Sequence, residues 1–274
     1  HIVIGIDDLS TGKINNIPSE VDFYKIDLAD ENCIKKIPNG CQMILHLAGQ
    51  SSGEISFYDP IGDIKKNTIS TLNLINYALE NNIDRFLYAS SMSVYGDFDC
   101  SLGGVSEDNL LRPISCYGIG KLSSEKYLHV FKHKIPFVSL RMFNVYGPGQ
   151  DLENMRQGMV SIYLSQAIKF NKILIKGSLK RFRDFIYIDD VVEIWYRAAF
   201  SKNTLNQEIN VGTGKKTSVE ELINLIKEIT NISEINISSE TPCDQLGIYS
   251  NSAKLKRILK YIPKTSLNEG LNLF

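Results

Sequence analysis

The chain has no Cys-x-x-Cys spacing, and its five cysteines, Cys33, Cys41, Cys100, Cys116 and Cys243, are an odd number set far apart. That argues against a disulfide framework and a zinc knuckle, and reads as free thiols of a cytoplasmic protein. Neither sign of charge is in excess. Thirty basic against thirty-one acidic residues leave a net −1, without the basic surplus that tracks nucleic acid or an anionic membrane. Long apolar runs are also missing. The stretch "DDVVEIWYRAAF" (189–200) is interrupted by charge well short of a membrane span, and the opening "HIVIGIDD" lacks the charged-then-apolar order of an export signal. Histidine is scarce, at four residues. His129 and His133 stand one turn apart with Glu125 a turn earlier, but no glutamate lies between them as in H-E-x-x-H, so the trio reads as a solvated helix face and no metal is expected. Asn-x-Ser at Asn231 and Asn236 would matter only in a secreted chain.

What is present is a core-forming sequence of 274 residues, 43% of them apolar, with strand and helix patterns in alternation. "IVIGI", "CQMILHLA", "DRFLYASS" and "PFVSLRMF" read as buried parallel strands. Between them "DPIGDIKKNTISTLNLINYALENN" repeats apolar residues at helical spacing (Ile64, Leu72, Ile75, Leu79), as does "CYGIGKLSSEKYLHVFKH" (Leu122, Tyr127, Val130). This predicts an α/β fold, a doubly wound parallel sheet with helices on both faces and ligands beyond the carboxyl ends of its strands. After Gly149 the rhythm changes to helix, short strand ("KILIKG"), a helix from Ile188 and another at "SVEELINLIKEI". Residues 1–149 are therefore expected to form the sheet domain and 150–274 mainly a smaller lobe, with some segments returning to the sheet.

"VIGIDD" resembles the second strand of a dinucleotide-binding unit, where an acid meets the adenosine ribose and the glycine turn lies ~20 residues earlier. On that reading the sheet's first strand and glycine-rich turn would precede His1. "IDDLSTG" alone reads equally as a strand followed by an Asp-rich turn. Tyr117 and Lys121 stand four apart at the start of a predicted helix and can project into the same space. A Tyr-x-x-x-Lys pair is weak by itself, as is the serine-rich turn Ser90, Ser91, Ser93. Their weight comes from context: "HLAG", "YASS" and "LRMFN" all end strands at one crevice.

Taken in order, "HLAG" (46–49), Pro60 with Asn67 and Thr71, "SSMSVYG" (90–96), "YGIGK" (117–121), "LRMFNVYGP" (140–148), "RFRDFIYIDDV" (181–191) and "NVGTG" (210–214) form a highly specific set. Over essentially its whole length the chain resembles the extended short-chain dehydrogenase/reductases, within them the nucleotide-sugar epimerase/dehydratase family. The resemblance implies a Rossmann-like fold, NAD as cofactor, a nucleotide-sugar substrate and pairing of two long helices across a homodimer. It implies that Tyr117 is the general acid/base, Lys121 its electrostatic and ribose-holding partner, and Ser91 the hydroxyl that positions or relays the proton. An ammonium beside a phenol should lower its pKa from ~10. Asp7, Asp27, Leu28, Leu47, Ala48, Gly49 and Asn67, with Tyr117 and Lys121, are implied on the cofactor side. Ser91, Ser93, Asn144, Met159 and Arg183, with Arg181 near it, are implied on the substrate side.

Departures narrow the expectation. The dehydratase branch carries an Asp-Glu pair after the catalytic hydroxyl, whereas Met92 and Ser93 stand here. Met142 replaces a tyrosine common beside the nicotinamide, and "ETPCDQLG" has Cys243 where the family has glycine, with no arginine before it. The expected activity is 4-epimerisation through a 4-keto sugar. Reduction, decarboxylation or dehydration on the same site, and a non-catalytic NAD(P)-binding module or an inactive fragment, are the alternatives.

Overall fold

The computed structural model describes residues 1–155, 158–232, 234–238 and 246–274. The chain opens with two short parallel strands, β1 (Ile4–Asp7) and β2 (Asp22–Lys25), paired from Ile4↔Asp22 to Asp7↔Lys25. Strand β3 (Met43–His46) leads into helices α1 (Gly53–Tyr58) and α2 (Pro60–Ile64). Ser52 caps α1, and α2 has Asp59 as its cap with Pro60 at its first position, where a missing N–H costs nothing. A π-helical turn, Lys65–Ile69, joins α2 to α3 (Ser70–Asn81). Strand β4 (Arg85–Ser91), helix α4 (Cys116–Val130) and strand β5 (Phe137–Met142) come next.

The remainder begins with β6 (Asn144–Tyr146), α5 (Met159–Phe170), β7 (Lys172–Lys176), β8 (Phe182–Arg183) and β9 (Phe185–Tyr187). It continues with α6 (Ile188–Phe200), β10 (Gln207–Val211), β11 (Thr217–Ser218), α7 (Val219–Thr230) and β12 (Glu234–Ser238), ending in α8 (Ala253–Leu259) and α9 (Leu267–Asn272).

The central sheet is parallel, in the order β10-β5-β4-β3. Alternate residues of β4 serve opposite faces, as a period of two requires. Phe86 and Tyr88 pack with Leu74, Ile75 and Ala78 of α3 and Leu128 of α4; Leu87 and Ala89 pack with Ile194, Trp195 and Ala198 of α6 and Leu255 of α8. Helices thus cover both faces. Because β10 returns to pair with β5, the second of these clusters joins residues from both halves of the chain. A further cluster gathers α5, β7, α7 and α9. Among the described residues no ladder joins β1 to β3, and their neighbourhood lines a cavity of about 570 Å³.

Two helical readings need correction. In α3 the buried positions include Leu74, Ile75 and Ala78, while Ile64 is exposed. The π turn adds one residue to a turn, so the spacing counted from Ile64 falls out of phase. In α4 Tyr127 and Val130 are exposed, and the buried face carries Tyr117, Gly120, Lys121, Ser124, Glu125 and Leu128. Glu125 is not on a solvated face: both its oxygens accept from Arg141 of β5, at 2.9 Å from Nε and 2.8 Å from Nη2, and Ser90 Oγ donates to it at 2.6 Å. His129 and His133 are exposed, and no cluster that could hold a metal occurs among the described residues.

Removing one partner of a buried pair leaves an uncompensated charge. Arg141→Met is expected to destabilise the fold by roughly 3–5 kcal/mol, read as a lower urea midpoint with an unchanged slope.

Candidate active site

Ser91 ends β4 opposite Met142 of β5. Its hydroxyl accepts from Ser93 N at 3.2 Å and donates to Ser93 Oγ at 3.2 Å, which bends the chain sharply out of the sheet. Helix α4 begins against this turn. Ser115 caps it by accepting from Gly118 N at 3.0 Å, and Gly118 lies so close that a Cβ there would come within 2.5 Å of Ser93 O. Glycine at that position lets the helix N-terminus reach the serine turn. The first turn presents Tyr117 and the second Lys121, both buried, with Lys121 Nζ 5.7 Å from the Tyr117 ring centroid and 5.1 Å from that of Tyr88.

The phenol differs from expectation. Burial pushes Tyr117 up to about 12, a hydrogen bond with Ser91 works against that rise, and the Asp63 carboxylate adds to it. The ammonium does not lower it. Lys121 is itself pushed down to about 8 by burial, with Asp63 opposing the fall. In a site this dry, desolvation of the phenolate outweighs the attraction of a cation.

The adjoining cavity is lined by Asp7, Asp27, Leu28, Leu47, Ala48 and Gly49, all six beyond or at strand ends. Asp7 Oδ1 accepts from Leu9 N and Asp27 Oδ1 from Ala29 N, each fixing a tight turn. Gly49, at φ +152°, links cavity and catalytic pair: a Cβ there would lie 2.5 Å from Asn67 Oδ1 and 3.4 Å from Lys121 Nζ. Asn67, presented by the π turn, donates Nδ2 to Asp63 Oδ1 at 3.0 Å, and its own Oδ1 is buried without a hydrogen-bond partner among the described residues. An orphaned acceptor, an adjacent ammonium, a side-chain-free strand end and a carboxylate at the far side fit a dinucleotide.

Asn144 opens β6, donating its backbone N–H to Asp184 O at 3.0 Å, and its Oδ1 is a second buried acceptor without a partner among the described residues. Arg183 lies two strands away in β8, paired with Thr217, and donates Nη1 to Phe182 O at 2.8 Å. Burial brings its guanidinium down to about 10, and Arg181 beside it lowers it further against Tyr163. Two guanidinium groups side by side offer planar donors of the kind that suit phosphate oxygens. Met159 begins α5 and packs against the cluster of that lobe. The structure thus gathers Ser91, Ser93, Tyr117, Lys121, Gly49 and Asn67 at the ends of β3 and β4. Most of "ETPCDQLG", including Cys243, lies outside the described residues.

Asp63, Gln50 and His46 were not singled out in the sequence. His46 is buried, bonded through Nε2 to Thr71 Oγ1 at 3.0 Å, and burial holds it neutral with a pKa of about 3. A carboxylate four residues before Asn67 was the one signal for Asp63.

The model of the NAD dependent epimerase/dehydratase family matches residues 1–212. A UDP-glucose 4-epimerase of Mycolicibacterium smegmatis is 30% identical over 99% of this chain and 88% of its own. UDP-glucuronic acid decarboxylase 1 of Xenopus tropicalis is 28% identical over 99% of this chain and 65% of its own. The crystal structure of a Thermotoga maritima UDP-glucose 4-epimerase with UDP-glucose superposes with a TM-score of 0.94, at 33% identity, covering 100% of this chain and 89% of that one. A Thermus thermophilus UDP-glucose 4-epimerase complexed with NAD gives 0.90, at 28% identity, over 99% and 89%.

The folded pKa of Lys121, about 8, lies below the ordinary 10.5. Between these values the unfolded chain binds more protons, so the lysine's contribution to stability is full above about 10.5 and lost as pH falls through about 8. Compared with Lys121→Met, the wild-type protein is expected to gain stability steadily from pH 8 to 10.5, measured as the difference in Tm at each pH. A flat difference would mean that the ammonium is not desolvated.

Proposed function

This chain belongs to the NAD-dependent epimerase/dehydratase family, with NAD as its cofactor, and on that premise we propose that it inverts C4 of a UDP-hexose through a 4-keto sugar. The observation that carries the reading is the convergence of Ser91, Tyr117 and Lys121 at the end of β4, beside a cavity whose far wall bears Asp7. Bound NAD supplies reversible hydride exchange at C4. Tyr117 Oη takes the proton of the C4 hydroxyl and later returns it, and Ser91 Oγ holds that hydroxyl on line. Oη must be the phenolate to take that proton, and Lys121 bears on the phenolate before the transfer and again once the proton has been returned. Arg183 and Asn144 hold the diphosphate while the sugar turns over within a dry site. Met92 and Ser93, standing where elimination needs an acid pair, favour epimerisation over water loss. The free thiols of Cys33, Cys41, Cys100 and Cys116 support a reducing, cytoplasmic setting for this chemistry.

We place a homodimer contact on the outer faces of α4 and α2, which pack together. Ile119, Tyr127 and Val130 form an exposed row at helical spacing on α4, next to exposed Ile61 and Ile64.

Incubation with NAD and a panel of UDP-hexoses, with product NMR and mass spectrometry, tests the activity. A C4 epimer of unchanged mass is expected; a product lighter by water or by carbon dioxide would assign dehydration or decarboxylation instead. Tyr117→Phe is expected to lower turnover by ~100-fold or more while the fold persists by circular dichroism. Tyr127→Glu is expected to convert the dimer to a monomer by light scattering, and a dimer that survives it would move the contact elsewhere.

A further inference from the structure

Asp63 carries a carboxyl group buried to 2% exposure in the middle of the site; burial raises its pKa, against the hydrogen bonds from Asn67 and Gln50 and the charge of Lys121. It sits on α2, and one oxygen, Oδ1, accepts from Gln50 Nε2 at 2.8 Å and from Asn67 Nδ2 at 3.0 Å. Its other oxygen faces α4: a Cβ on Gly120, the residue before Lys121, would lie 3.4 Å from Oδ2. A carboxylate can only accept, so it forces both amides to turn their nitrogen towards it. Gln50 Oε1 is thereby left to accept from Ser52 N, at the cap of α1. Asn67 Oδ1 is left pointing at the gap beside Gly49 and Lys121 Nζ.

We propose that Asp63 is the positioning residue of this site: its fixed negative charge sets the direction of both amides and holds Lys121 as an ammonium. The titratable and charged groups around it are Asp59 at the cap of its own helix and Tyr117 and Lys121 on α4 across from it, with His46 at the end of β3 beyond Lys121. Only Lys121 among them is a cation, because His46 is held neutral. Asp59 and Tyr117 gain nothing from Asp63: the first raises its pKa and the second is raised by it. The favourable partner is therefore the Lys121 ammonium, whose pKa burial lowers and Asp63 raises. Asp63 acts through Lys121 and Asn67, and its effect on Tyr117 opposes early ionisation of the phenol.

The inference rests on the reading of Tyr117 and Lys121 as the proton-transfer pair, and its test needs no turnover. The titration of Lys121 is followed in protein carrying 13C-labelled lysine, the signal being assigned by its loss in Lys121→Arg. In Asp63→Asn the midpoint is expected to fall by half a unit or more, raising the neutral fraction at pH 7 about threefold. Asp63→Glu, which keeps the charge, is expected to restore it. A folded Asp63→Asn or Asp63→Ser with the wild-type midpoint would overturn the proposal. If neither folds, an Asp63→Glu protein with the wild-type midpoint supports the requirement for charge, whereas failure of all three to fold assigns Asp63 to folding alone and overturns it. A shifted midpoint in a protein that epimerises nothing would keep the electrostatic role and remove only the assigned reaction.

Discussion

The ion pair between Glu125 and Arg141 is the constraint around which the catalytic helix is placed. It is side-on and doubly hydrogen-bonded, with both partners almost wholly removed from water. Such a pair does not stabilise cheaply, since both ions lose their hydration. What it supplies is direction. Arg141 also donates to Tyr95 OH, which in turn donates to Asn210 Oδ1, so one network spans β5, the turn after β4, and β10. Ser90, next to Ser91, is tied to the same carboxylate. Helix α4 can therefore bury a lysine and a tyrosine on its inner face, because hydrogen bonds with fixed geometry, more than apolar packing, set its rotation.

This explains which parts of the molecule were legible in its sequence. Strand β4 is buried throughout and β5 in all but its last residue, so the apolar residues of Phe86–Ala89 and of Phe137, Val138 and Leu140 show no alternation; β3 is legible from its apolar run although Leu45 is exposed. The helix α4 was legible as a helix but not by its buried face, because Lys121, Ser124 and Glu125 are polar and the apolar Tyr127 and Val130 face out. Hydrophobic periodicity fails where burial is bought with hydrogen bonds. Glu125 lay in plain view beside two histidines, and its partner sixteen residues on could only be found through the fold. Ordered short motifs identified the family because each sits at a strand end that must approach a ligand. Asp63 escaped because its four-residue spacing to Asn67 does not by itself distinguish a buried carboxylate from a helix-surface one.

The two halves of the candidate site also differ in kind. On the cofactor side the chain offers backbone, a carboxylate and an unfilled amide acceptor, features shared wherever a dinucleotide lies across strand ends. On the substrate side it offers a pair of buried arginine side chains and one amide. Relatives described as an epimerase and as a decarboxylase resemble this chain to a similar degree. Fold and family do not by themselves assign the reaction.

The π turn at Lys65–Ile69 has a consequence for how this protein can change length. A π turn holds one residue more than a regular turn would, and here Asn67 within it bonds Asp63 of α2 while α3 beyond it meets the sheet with Leu74, Ile75 and Ala78. Deleting a single residue from this turn would restore a regular helix and rotate everything downstream by about 100°. Either the amide would leave the site or the apolar face would leave the core. Insertions and deletions that surface loops tolerate are thus closed to this segment, and its length is as much a part of the active site as its side chains.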